Sequence, residues 1–404
     1  MKKLSDKKRL ALVLSGGGVK AAAFHIGACL ALREKGFKFA GGLPEEVADQ
    51  YPDDSMTFKM YVGSSAGAVM SSLLASGYSV EAIIEAFTRG AGLGTFRTRN
   101  QNTGRVLKPL TYRDIFALNI EGGHPFRMFS DWFQKKPVIS GGLEVLLKKG
   151  VKVNGIFSMR NIERYMRKKA LPTNEFSDLG VNLYICATQL NHSREVIFGP
   201  FAETTKDKTI KYANYANISD AVAASASLPP AFAPWGIHKP GSNKTIYFFD
   251  GEIRDTLSTH VAETHGADLV ISSYSIQPYH YSEEMGSLHN YGIPVIMNQA
   301  LYQTVQQKID AHIRHQTNLR KLMNSVNGYL KEIDLPIEQR EKLMEILRTR
   351  TDFRPDVDRI YIHPSPQDYK MFFYDHFSLN PIRLSQIVRT GFRSAMQALR
   401  QYNV

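Results

Sequence analysis

Met60-Tyr61-Val62-Gly63-Ser64-Ser65-Ala66-Gly67-Ala68-Val69 is the stretch on which the fold turns. A short apolar run, Met60–Val62, enters Gly63-x-Ser65-x-Gly67 and leaves through small residues that predict a helix over Ala66–Ala75, closed by Gly77. A serine on so tight a strand-to-helix turn projects its hydroxyl outward, and glycines two residues to either side let neighbouring backbone pack against the turn. Ser65 is the central serine and Ser64 a filler. The plainer reading of the same pattern is an ordinary Ser/Gly helix cap, so the rest of the chain has to choose.

The alternation recurs along the chain. Near-continuous apolar runs at Leu10–Leu14, Leu183–Ala187, Ile246–Phe249, Leu269–Ser273 and Ile360–Ile362 read as buried parallel strands. Helical spacing fills Ala21–Lys35, with Gly36 behind it, and Val80–Arg89, with Ser79 as its cap. Strands alternating with helices predict an α/β fold, a three-layer α/β/α sandwich with a mostly parallel central sheet. Because the strand candidates run from residue 10 to 362, a single domain over 1–404 is expected, its core in 10–290 and 357–400. Two insertions interrupt it: 89–149, irregular, basic and aromatic, and 298–350, helical over Gln299–Val326 and Pro336–Arg348.

A second glycine cluster follows the first strand. Leu14-Ser15-Gly16-Gly17-Gly18-Val19-Lys20 runs from strand into helix, so backbone N–H groups and the helix N-terminus converge on one point. A phosphate or the oxyanion of a tetrahedral intermediate suits such a nest. Gly16-x-Gly18-x-x-Ala21 also fits a dinucleotide fingerprint, but no acidic residue ends a strand about 20 positions on, as that use requires. A serine hydroxyl needs a base. Asp250, at the end of the apolar run Thr245–Phe249 and followed by Gly251, is one candidate; His363, just after Ile360–Ile362, is another.

Charge and composition narrow the partners. The 404 residues are 43% apolar, which excludes global disorder, and carry 50 Lys and Arg against 38 Asp and Glu, a net charge of +12. Cys29 and Cys186 stand far apart without a CxxC, so neither a disulfide scaffold nor a thiolate zinc site is available. The apolar stretch near the N-terminus, Leu10–Leu14, is too short for a signal peptide, and no apolar run of about 18 residues offers a bilayer span. A cytoplasmic chain, peripheral on a membrane, is expected. Segment 89–149 holds eleven basic and four acidic residues with seven interleaved aromatics, and residues 2–9 hold five basic and one acidic. Such surface suits an anionic membrane. Nucleic acid is not expected, because no zinc-finger, RRM or basic-heptad pattern occurs. Oligomeric state leaves no signal in the sequence.

Taken together, these blocks resemble the patatin-like phospholipase family. Gly16-Gly17-Gly18-Val19-Lys20 is similar to its oxyanion-hole block, Gly63-x-Ser65-x-Gly67 to its nucleophile block, Ala224-Ser225-Ala226-Ser227-Leu228-Pro229 to its Ala-Ser-x-x-x-Pro block, and Asp250-Gly251 to its aspartate block. The resemblance implies a lipid acyl hydrolase of the phospholipase A or lysophospholipase type, with Ser65 as nucleophile and Asp250 as base, acting on an acyl-ester lipid without metal or cofactor. It further implies an oxyanion hole at Gly16, Gly17 and Gly18. Lys20 is expected to orient the glycine loop or to attract a lipid headgroup. An acyltransferase using the same acyl-serine, or a non-catalytic lipid-binding protein, is the alternative. Departures are Ala21 for a usual glycine, Glu252 in an Asp-Gly-Glu block, and Thr256 and Ser258 where Asn and Pro are frequent. They bear on the geometry around Asp250.

Overall fold

The computed structural model describes residues 2–52, 55–90, 105–119, 154–205, 209–239, 241, 243–351 and 354–403. Ten strands form one sheet: β1 (Leu10–Leu14), β2 (Lys38–Phe39), β3 (Thr57–Ser64), β4 (Asn182–Gln189), β5 (Arg194–Phe198), β6 (Ile210–Ala213), β7 (Trp235–His238), β8 (Thr245–Asp250), β9 (Leu269–Ser273) and β10 (Asp358–Ile362). Its main path is β7-β8-β4-β3-β1-β9-β10, with β2 beside β3 and the β5–β6 pair beside β4. Neighbours from β4 through β10 along that path are parallel.

Helices cover both faces, which explains the near-continuous apolar strands. Leu10, Leu12 and Leu14 of β1 join one core cluster, while Ala11 and Val13 join another on the opposite face. The first cluster takes in α1 (Gly18–Glu34), α2 (Ala66–Ala75), α3 (Val80–Gly90) and α4 (Ile218–Ser225). The second takes in the short α5 (Thr259–Thr264) through Val261 and Ala262. Expectation and structure agree on a mostly parallel α/β/α sandwich.

Late in the chain run α6 (Ile293–Glu332, 40 residues), α7 (Ile337–Thr351) and α8 (Pro381–Leu399). The first half of α6 packs Tyr302, Val305 and Ile309 against Leu257, Tyr274 and Phe372; its second half meets α7 through Met323, Leu330 and Met344. Among the described residues no helix is long and apolar enough to cross a membrane.

One antiparallel strand in this mostly parallel sheet shapes the site. β5 occupies one edge of β4 from Ile185 to Gln189. The other edge is shared between two strands. β3 runs parallel to it and ends with Ser64 opposite Cys186. β8, read from its apolar sequence as another parallel strand, is antiparallel and ends with Asp250 opposite Ala187. Two chain ends arriving from opposite directions therefore meet at adjacent positions of β4.

The turn after β3 is crowded by backbone. A Cβ on Gly67 would lie 1.9 Å from the Leu14 carbonyl oxygen, so α2 touches the end of β1 directly. Gly67→Ala is expected to lower the unfolding free energy by about 1–3 kcal/mol, the usual scale of an overpacked interior. Urea denaturation measures it, and an unchanged midpoint contradicts this packing.

Candidate active site

Ser65 sits at φ 53° and ψ −120°, between the last residue of β3 and the first of α2. A non-glycine residue there carries strain of about 1–3 kcal/mol, so the surroundings must hold it. They do so through a serine relay. The Ser65 N–H donates to Ser225 Oγ at 2.8 Å, and that hydroxyl donates to the Cys186 carbonyl at 2.6 Å. α4 thus ties the strained turn to β4. The sequence blocks included Ser225, but nothing local to it announced this role.

Asp250 is fixed on both sides of its own peptide. Its N–H donates to the Ser227 carbonyl at 3.0 Å, and its carbonyl accepts from Thr188 Oγ1 at 3.0 Å. The side chain is 1% exposed. Its carboxylate accepts a hydrogen bond from the Glu252 N–H at 2.9 Å, and the Ser65 hydroxyl lies close enough to favour its charged form. Burial pushes its pKa up to about 6, while the Ser65 hydroxyl and the Glu252 N–H pull the other way. At neutral pH the group is ionised and basic enough to take a proton.

The glycine loop lies beside this pair, with one correction to the expected oxyanion hole. The Gly16 N–H is already engaged, donating to Glu252 Oε1 at 2.7 Å. Gly17 and Gly18, at φ 129° and 68°, open α1, and Gly18 lines the same cavity as Ser65. Glu252 is buried, and burial together with the neighbouring Asp250 charge raises its pKa well above the usual carboxylate range. The unusual Asp-Gly-Glu block therefore bridges the Asp250 turn to the glycine loop.

Lys20 departs from one of its two expected uses. It is fully buried, donating to Tyr302 Oη at 2.6 Å and to the Met371 carbonyl at 3.1 Å, so it does not meet a headgroup. Burial brings its pKa down to about 7 against the opposing pull of Asp375.

Apolar side chains surround the cavity that holds Ser65, among them Val19, Val69, Phe87, Ile115, Phe232 and Phe377. A histidine lines it too, and it is His376, which sequence reasoning passed over. The candidate His363 instead stacks on Tyr274, with Nδ1 facing the Pro364 carbonyl at 3.0 Å, and is absent from the lining.

Most of the basic insertion lies outside the described residues; within it, residues 89–90 and 105–119 are described. There Phe116 packs against Phe157, Phe232 and Phe377, and Arg105 pairs with Glu46 at 2.7 Å. Leu110 and Ile115 line the cavity.

Among the described residues one cluster has metal-ligand chemistry, Glu195, Asp255 and His260. The His260 ring nitrogens face a carboxylate each, at 3.4 Å from Glu195 and 3.1 Å from Asp255. Burial works against the charge, but these carboxylates outweigh it and hold the imidazole up at about 10. A protonated imidazole places a positive charge between the two carboxylates, with Nε2 itself making no hydrogen bond.

Residues 12–263, from β1 to α5, match the family described as patatin-like phospholipase. No curated protein shows significant similarity to the chain. Among solved structures it is similar to VipD from Legionella pneumophila, at 15% identity over 98% of this chain and 67% of that one, with a TM-score of 0.39. By the extent of its family match, which carries the glycine loop, the Ser65 turn and the Asp250 turn, the chain belongs to the patatin-like phospholipases, a family of lipid acyl hydrolases.

Proposed function

We propose that the chain hydrolyses fatty-acyl esters of phospholipids or lysophospholipids through an acyl intermediate on Ser65, with Asp250 as the base. The observation that carries this reading is the Ser65 hydroxyl and the Asp250 carboxylate side by side at a cavity lined mostly by apolar side chains. Ser65 Oγ attacks the ester carbonyl while Asp250 takes its proton. The carbonyl oxygen becomes an oxyanion facing the Gly17 and Gly18 N–H groups, each such donor being worth about 2.7–4 kcal/mol in comparable sites. The tetrahedral centre then collapses, the C–O bond to the alcohol breaks, and the alkoxide leaves with the proton from Asp250. Water, deprotonated by the same carboxylate, attacks the acyl-serine and releases the fatty acid.

Three variants test the roles with a chromogenic fatty-acyl ester. Ser65→Ala and Asp250→Asn are expected to lower kcat by about 10³-fold or more, as loss of a nucleophile or its base does elsewhere. His363→Ala is expected to keep full activity. Full activity in Asp250→Asn with loss in His363→Ala overturns the assignment.

The pH profile follows from the same carboxylate. Asp250 works only when ionised, so kcat is expected to rise as pH increases through about 6 and to level off above it. A rate that falls across that interval contradicts Asp250 as base.

We further propose that the basic segments at 2–9 and 89–149 hold the protein against an anionic lipid surface. Vesicle co-sedimentation is expected to show stronger binding to anionic than to neutral phosphatidylcholine vesicles, weakening as salt shortens the screening length. Equal binding to both compositions contradicts it.

A further inference from the structure

Tyr302 and His376 lie beyond the 12–263 family match, yet both reach the glycine loop. Tyr302 comes from α6, deep in the late helical stretch, and His376 from the loop before α8. His376 grips the start of α1 twice. Its carbonyl accepts from the Lys20 N–H at 3.2 Å, and its ring Nδ1 faces the Gly17 carbonyl at 3.2 Å. Its Nε2 meets Tyr302 Oη at 2.8 Å, and the same oxygen meets Lys20 Nζ at 2.6 Å.

While Lys20 holds its proton, the two ends of this chain fix the others. An ammonium only donates, so Tyr302 Oη accepts from Lys20 and sends its single proton to His376 Nε2. A carbonyl only accepts, so His376 Nδ1 carries the hydrogen that reaches Gly17. The ring is therefore neutral, with one nitrogen donating and the other accepting. Burial and the Lys20 charge agree, holding His376 down at about 4, while the Gly17 carbonyl and Asp375 act in the other direction.

The Gly17 carbonyl and the Gly18 N–H belong to one planar trans peptide and point in opposite directions. Holding the carbonyl oxygen at His376 aims the Gly18 N–H the other way, and Gly18 lines the cavity beside Ser65. Hydrogen bonds in series also polarise one another. We infer that His376, braced by Tyr302 and Lys20, is a positioning residue that orients and polarises the Gly17–Gly18 peptide as an oxyanion donor. This rests on the acyl-serine reading of Ser65. His376 does not serve as the base for Ser65, because neither ring nitrogen is free.

The test compares His376→Ala, His376→Asn and Tyr302→Phe on p-nitrophenyl butyrate, whose short acyl group fills little of the cavity. Asparagine places an amide N–H near the position of Nδ1 and keeps the donor to Gly17. His376→Ala is expected to lose about 10- to 100-fold in kcat, below the full cost of a deleted oxyanion donor, with KM within about twofold. His376→Asn and Tyr302→Phe are expected to lose less than about tenfold, since each keeps part of the chain. Unchanged kcat in His376→Ala, or equal losses in the alanine and asparagine variants, overturns the inference. If His376→Ala does not fold, a loss confined to KM in His376→Asn and Tyr302→Phe overturns it instead.

Fluorophosphonate labelling of the wild type separates the two claims, because a wild type that neither labels at Ser65 nor hydrolyses the ester defeats the acyl-serine reading alone. The brace is then judged by imidazole ¹⁵N spectra. A His376 protonated on Nδ1 and bare on Nε2 at neutral pH supports it; a proton on Nε2 overturns it.

Discussion

Everything at the site depends on the shared edge of β4. Parallel β3 claims that edge up to Cys186 and antiparallel β8 claims it from Ala187 onward, so Ser64 and Asp250 end on neighbouring rungs. Hydrogen-bond register, rather than side-chain attraction, brings the hydroxyl of Ser65 to the carboxylate of Asp250. The remaining contacts maintain what register establishes. Ser225 holds the strained serine to β4, and the Ser227 carbonyl holds the Asp250 peptide.

Bringing a carboxylate to that point takes it out of water, and the energetic sign follows. Asp250 and Glu252 both have raised affinities for a proton, so each is ionised more easily in the unfolded chain than in the folded one. Their contribution to stability is present at low pH and is lost as pH rises through about 6 for Asp250. The fold tolerates this at the place where a general base of near-neutral pKa is useful. Glu252 shows how one side chain limits the cost: its carboxyl accepts the Gly16 N–H and joins the base turn to the glycine loop. The same contact occupies the Gly16 N–H, so the proposed oxyanion donors are those of Gly17 and Gly18.

Much of this was legible in the sequence, because it is encoded locally. The apolar runs at Leu10–Leu14 and Leu269–Ser273 announce strands buried on both faces, and Gly63-x-Ser65-x-Gly67 announces a turn where backbones touch. The direction of β8 was hidden, since an apolar strand reads alike whether its neighbours are parallel or antiparallel. Contacts between distant segments were hidden too. The sequence leaves Lys20 open between orienting the glycine loop and meeting a headgroup until Tyr302, 282 residues away, covers it. Asp375-His376-Phe377 carries no local signal, and its position on the glycine loop exists only once α8 has folded against α1.

The central claim is that Ser65 becomes covalently acylated. Intact-protein mass spectrometry of a rapidly acid-quenched reaction with a p-nitrophenyl acyl ester tests it directly. The account predicts a mass increase of one acyl group, mapped by peptide digestion to Ser65 and missing from Ser65→Ala. Hydrolysis that proceeds with no acyl adduct, or with the adduct on another residue, would contradict it.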